Sequence, residues 1–206
     1  MKKFHGLCAL FGLLMGCALP AERPAGAPSA GVVDPLVGGL ACRPEVRWET
    51  DTGAVVPFAE LNGRVRLIAM FYSTCEGVCR TTREQMLGVE AALPAAVRAR
   101  VGFHLATLDP PHDTPAVLRE YRRATGLAPG RWTLLRGDSA ATRELARGLG
   151  YAGRREGNGR YLHSSVLVIL DAAGRVRARY DGTGADLRVI AHDLEATVAA
   201  GDAAHP

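Results

Sequence analysis

Lysine is nearly absent from these 206 residues. Lys2 and Lys3 are the only two, and the other basic side chains are 23 arginines spread among 21 acids. Without that lysine pair the net charge falls from +4 to +2. The sequence pI of about 9.0 therefore follows from overall arginine richness, and no basic stripe marks a nucleic-acid surface. Long apolar runs are missing beyond the N-terminus, which excludes a polytopic membrane protein. There is no internal repeat, collagen-like period or acidic tail. Hydrophobic residues make up 48% and charged residues 22%, as in globular proteins. The length fits one domain, at roughly 150 residues per domain, plus extra segments.

Residues 1–17 read MKKFHGLCALFGLLMGC. A charged start and an apolar stretch from Leu7 to Met15 are too short for a spanning helix and fit a secretory signal. Leu14-Met15-Gly16-Cys17 is similar to the lipobox of bacterial lipoproteins. Small Gly16 admits the peptidase and Cys17 supplies the thiol for lipidation. The alternative is an ordinary signal peptide cut near Ala18 or Ala21. The expected organisation is a signal at 1–16, a flexible tether at 17–40, a folded domain at 41–200 and a frayed tail at 201–206. The domain is then exported and held at the periplasmic side of a bacterial membrane, or soluble in the periplasm if no lipid is added.

Five cysteines stand at positions 8, 17, 42, 75 and 79. Cys8 leaves with the signal and a lipidated Cys17 is blocked. The odd remainder is not a disulfide framework. Cys75 and Cys79 form a C-x3-C pair, and Cys42 reads as an idle thiol or a partner in thiol exchange. A bridge across so short a loop would remove little chain entropy, so stapling is not its main use.

The apolar pattern predicts hairpin arms at 45–50 and 54–57, a buried strand at 65–72 and a helix from Val78 to Leu93. A strand at 101–108 follows, then a helix opened by Thr114 and Pro115, since Thr can cap and Pro fits the first helical position. A short strand at 132–135, a helix capped by Asp138 or Ser139, a hairpin at 166–180 and a helix at 186–199 complete the chain. This alternation argues for one α/β domain with a mixed sheet and helices on both faces.

The cysteine pair falls where the buried strand hands over to a helix. Functional residues gather at the carboxyl ends of such strands, and a helix N-terminus favours thiolates. A helical turn between them would put both sulfurs on one side, suited to a soft metal or, with adjustment, to a reversible disulfide. Glu76 should oppose ionisation, and Arg80 and Arg83 should favour it. His163 stands near the start of a later strand and reads as a structural residue or a ligand. The segment Asp109–Pro115 reads as a capped rigid turn, or as carboxylates beside the pair. His104 reads as a packed residue.

Four blocks together resemble the Sco/SenC family of copper proteins. They are the hairpin leading to Leu61–Arg64, the run Phe71–Cys79, the run Leu108–Pro115, and His163-Ser164 leading to Ile169–Gly174. Trp132–Gly137 fits as well, and the match spans about residues 44–185. The resemblance implies a thioredoxin-like fold with an inserted hairpin, and one copper held by Cys75, Cys79 and His163. It also implies work on the dinuclear copper A centre of cytochrome c oxidase, by delivering copper or by reducing the acceptor cysteines. Thiolates and imidazole suit Cu(I), and the trio can hold Cu(II) with another donor. The implied partners are a copper-accepting oxidase subunit and, through Cys17, a membrane; the protein is expected to be a monomer that binds no nucleic acid. Glu76 and Arg80 replace the prolines usual after each cysteine, and Leu162 replaces the aspartate often found before the histidine. The alternative functions are a metal-free thiol–disulfide oxidoreductase using Cys75 and Cys79 as a redox-active pair and, less well supported, a redox-sensing thiol protein.

Overall fold

The computed structural model describes residues 46–61, 64–75, 77–151, 153–155, 161–163 and 165–204. The expected signal, lipobox, tether and Cys42 lie outside the described residues, as does Glu76. Nine strands are present among the described residues: β1 Arg47–Thr50, β2 Val55–Pro57, β3 Val65–Phe71, β4 Val101–Thr107, β5 Trp132–Arg136, β6 Gly153–Arg155, β7 Tyr161–His163, β8 Val166–Leu170 and β9 Val176–Asp181. The helices are α1 Val78–Ala92, α2 Ala95–Arg98, α3 Pro115–Thr125, α4 Ser139–Gly148 and α5 Leu187–Ala204. Seven strands form one sheet in the order β2-β1-β5-β4-β3-β8-β9, with β5, β4 and β3 parallel to one another. This is the mixed, helix-flanked sheet of the thioredoxin-like fold, carrying an N-terminal hairpin and a separate β6–β7 ribbon.

β3 sits near the middle because its sequence is VRLIAMF and every residue is buried. A buried Leu, Ile or Phe contributes roughly 1.5–3 kcal/mol, so this strand is a main anchor of the core. Leu67, Ala69 and Phe71 share a face with Phe103 and Leu105 of β4, as the pairing register requires. On that face Glu90 of α1 accepts from Trp132 Nε1 at 2.7 Å, and Phe71 meets Tyr121 of α3 with ring centroids 5.1 Å apart. Tyr180 of β9 donates to Asp193 of α5. The opposite face carries Arg66, Ile68 and His104. There α4 is held by Arg179 of β9, which donates to the Gly148 carbonyl at 2.9 Å. Arg66 lies 5.5 Å from the Phe58 ring centroid; burial lowers its pKa to about 10 while Asp171 opposes the shift, so it stays charged at neutral pH. His104 is packed as the sequence suggests, and burial, with Arg66 and Arg64 nearby, lowers its pKa to about 3.

The caps follow the sequence. Thr114 Oγ1 accepts from the Val117 amide, and Asp138 rather than Ser139 caps α4, accepting from Ala140 and Ala141 at 2.8 Å each. Three features differ from the sequence reading. Pro94 does not simply end α1 but leads into the short α2. His163 closes the separate β7 instead of opening the apolar strand β8. The last helix runs to Ala204, past the point where a frayed tail was expected, and Asp202 in its last turn pairs with Arg100. No helix among the described residues is long and apolar enough to cross a membrane.

Candidate functional site

At the carboxyl end of β3 the chain turns sharply: the Cys75 amide donates to the Tyr72 carbonyl at 3.2 Å. Gly77 then precedes α1, whose first turn contains Cys79. The two cysteines are therefore not on one continuous helical turn, as the spacing suggested. Cys75 lies in the approach to the helix and Cys79 inside it, and the bend at Gly77 still brings the sulfurs together. The two are not joined by a disulfide; Cys75 is half-buried and Cys79 buried.

Their acidities are driven apart. Partial burial resists ionisation of Cys75, but hydrogen bonds from the Cys79 thiol, the Cys79 and Gly77 amides and the Tyr72 side chain outweigh it, and its pKa falls below the ordinary thiol value. These amides are the free donors of a helix N-terminus. For Cys79, burial comes first, and then the hydrogen bond with Cys75 and the nearby charges of Cys75 and Asp113 push the pKa well up. Cys75 is thus the more exposed and more readily ionised thiol of the two, and Cys79 the more buried and less acidic. Arg80 and Arg83 were expected to supply the acidity, yet both are engaged elsewhere. Arg80 pairs with exposed Glu84 at 2.9 Å, and Arg83 donates to the Tyr121 hydroxyl at 3.0 Å. Burial, followed by the nearby charges of the two cysteines, raises the pKa of the Tyr151 phenol.

Asp113 braces the cysteine loop. It is fully buried and accepts from the Ser73 amide at 3.1 Å, from the Ser73 hydroxyl and from Thr107 Oγ1. The Asp109–Pro115 segment therefore serves both readings: it caps α3 through Thr114 and places one carboxylate, Asp113, beside the pair.

The His163 side chain lies outside the described part of the structure, but its backbone is placed. It pairs with Gly153 across the β6–β7 ribbon. Two residues later, Ser165 Oγ lies 2.8 Å from Thr82 Oγ1, one turn along α1 from Cys79. Since β8 runs antiparallel to β3, its start lies at the same end of the sheet as the cysteines. Among the described residues no three His, Cys, Asp or Glu side chains converge as a metal site. Two adjacent thiols of unequal acidity nevertheless form a donor set that fits a soft metal ion with room for one more ligand. Sequence reasoning did not find Tyr72, Ser73, Thr82, Thr107, Tyr151 or Ser165. Only the position of Ser73 and Tyr72 in the Phe71–Cys79 run could have drawn attention to any of them.

The SCO1/SenC family model matches residues 46–199. A curated relative, a putative copper-binding protein of Stutzerimonas stutzeri, is 29% identical over 124 residues, which cover 57% of this chain and 58% of the relative. The chain thus spans little more than half the length of that relative. Among solved structures, copper-bound ScoI of Bradyrhizobium japonicum superimposes with a TM-score of 0.62 at 20% identity, covering 84% of this chain and 99% of that one. BsSco, described as having a disulfide switch and as a member of the Sco family of cytochrome c oxidase assembly proteins, gives a TM-score of 0.62 at 20% identity. That alignment covers 73% of this chain and 90% of BsSco.

Proposed function

Because the chain belongs to the SCO1/SenC family, we propose that it is a membrane-tethered protein that binds one copper through Cys75, Cys79 and His163. Its role on this reading is to deliver that copper to the dinuclear copper A centre of cytochrome c oxidase, or to prepare the cysteines of that centre. The observation that carries the proposal is the adjacent, non-disulfide thiol pair at the helix N-terminus, Cys75 half-buried and Cys79 buried, with the acidity of Cys75 raised and that of Cys79 lowered. The copper-bound ScoI neighbour and the copper-binding relative support copper as the metal, and BsSco supports the oxidase as destination. Bound copper would supply a soft cation for transfer, and three protein ligands leave an edge open to an acceptor. The chain's own contribution is to hold the thiols, four positions apart in sequence, on a braced loop and helix start and to keep one of them more readily ionised.

The same asymmetry favours a second reading, thiol–disulfide exchange. The Cys75 thiolate would attack one sulfur of an acceptor disulfide, forming a mixed disulfide and expelling the other sulfur as a thiolate that takes a proton from water. Cys79, losing its proton, would then displace the acceptor's second sulfur as a thiol. The Cys75–Cys79 disulfide forms and the acceptor gains two electrons and two protons. Replacing His163 by Ala separates the readings. If His163 is a ligand, Cu(II) affinity collapses, Cu(I) affinity falls less, and thiol exchange survives. Unchanged Cu(II) binding in a folded His163→Ala protein would remove the histidine from the site and leave the exchange reading ahead.

A further inference from the structure

The β6–β7 ribbon that carries His163 is not hydrogen-bonded into the main sheet. A two-stranded ribbon is marginal by itself, so its position depends on how its ends are attached. The end nearest His163 is attached at Ser165, and the attachment is two-sided. The Ser165 carbonyl accepts from the Gly182 amide at 2.8 Å, where the chain leaves β9 with a positive φ of 79°. The Ser165 hydroxyl lies 2.8 Å from Thr82 Oγ1, and both residues are buried. Thr82 also donates to the Val78 carbonyl at 2.8 Å. A hydroxyl has one proton, so the bond between the two side chains runs from Ser165 to Thr82. The result is a continuous relay from the Ser165 hydroxyl through Thr82 to the backbone of the turn that contains Cys79.

We propose that the Ser165–Thr82 hydrogen bond is a positioning contact that sets the His163 backbone against the cysteine helix, and so tunes the histidine as a copper ligand. The inference rests on the His163 reading given above. Two extended residues span at most about 7 Å, and one helical turn advances about 5.4 Å. The junction therefore keeps the His163 backbone within a short reach of the turn that contains Cys79. The hydrogen bonds that lower the pKa of Cys75 come from Cys79, Gly77 and Tyr72, and neither Ser165 nor Thr82 is among those donors. Ligand geometry and thiol chemistry are thus separately supported, the first by Ser165 and Thr82 and the second by the helix N-terminus.

The test is a Cu(II) titration of the reduced full chain as wild type, Ser165→Ala, Thr82→Val, Thr82→Ser and His163→Ala, with absorption and electron paramagnetic resonance spectra, alongside the alkylation rate of Cys75 without metal. Ser165→Ala is the decisive variant, because Thr82 keeps its bond to Val78 and remains satisfied. Cu(II) affinity should drop about 10–100-fold in Ser165→Ala and Thr82→Val, the range for contacts that orient a ligand. The Cu(II) spectra should shift, Thr82→Ser should restore both, and the Cys75 alkylation rate should stay within about twofold. A purely structural role predicts lower stability with unchanged spectra. If His163→Ala loses Cu(II) while folded Ser165→Ala keeps wild-type affinity and spectra, the positioning proposal is overturned and the ligand assignment stands. If His163→Ala keeps Cu(II), the ligand assignment falls and the positioning proposal falls with it.

Discussion

Two sulfurs four positions apart behave differently because one amino acid of backbone separates an approach loop from a helix. Cys75 receives amide donors from the helix start, whereas Cys79, inside the first turn, receives mainly burial. Alkylation with iodoacetamide, mapped by mass spectrometry on the reduced metal-free protein, should label Cys75 at least about tenfold faster than Cys79. The Cys75 rate should rise with pH and level off below the ordinary thiol value of 9.0, because a lowered pKa gives thiolate at lower pH. Equal labelling of the two residues, or Cys79 first, would contradict this account. The pair itself was legible from its spacing at a strand-to-helix junction. The residues that support it were not. Ser73 and Asp113 are 40 positions apart, and Thr82 and Ser165 are 83 apart. Single Ser and Thr residues carry no periodic signal, and only the closed fold makes them partners. The engagement of Arg80 with Glu84 and of Arg83 with Tyr121 was not legible either, since nearness in sequence says nothing of which other group holds a guanidinium.

Helices and strands with strong apolar periodicity were readable to within a residue or two, as β3, α1 and α3 illustrate. The elements that escaped are held by tertiary contacts. The β6–β7 ribbon lies beside a glycine-rich stretch with little apolar pattern, and the last turn of α5 meets Arg100 from a loop distant in sequence. Between elements, one buried ion pair does much of the fastening. Arg122 of α3 meets Asp51 in the β1–β2 turn, with Nε 2.5 Å from Oδ2 and Nη2 2.6 Å from Oδ1. Asp51 also accepts from the Leu134 amide at 3.1 Å, and Arg122 donates to the Trp132 carbonyl at 2.8 Å. Side-chain exposure is 10% for Arg122 and 2% for Asp51, so removing one partner strands a buried charge. Asp51→Ala should lower unfolding free energy by about 3–5 kcal/mol in urea titration, and Asp51→Ala with Arg122→Met should recover much of that loss. A loss under about 1 kcal/mol in the single variant would show that the pair is not a fastener.

At the scale of the whole molecule, the site occupies one end of the sheet, and β1 enters at that same end, since it runs antiparallel to β5 with Glu49 opposite Arg136. The start of β1 therefore lies at the cysteine end of the sheet, three strands along from β3. On the proposed lipidation of Cys17, the natural protein should fractionate with membranes and the Cys17→Ala protein should not. Recovery of the natural protein wholly in the soluble exported fraction would contradict the anchor. The central claim, that Cys75 and Cys79 are the core of a single copper site, is tested most directly by titrating the reduced chain with copper. The account predicts one tightly bound copper per chain, with sulfur-to-copper charge transfer in the Cu(II) form, and its loss in both Cys75→Ser and Cys79→Ser. Absence of tight binding, or binding that persists in either serine variant, would contradict it.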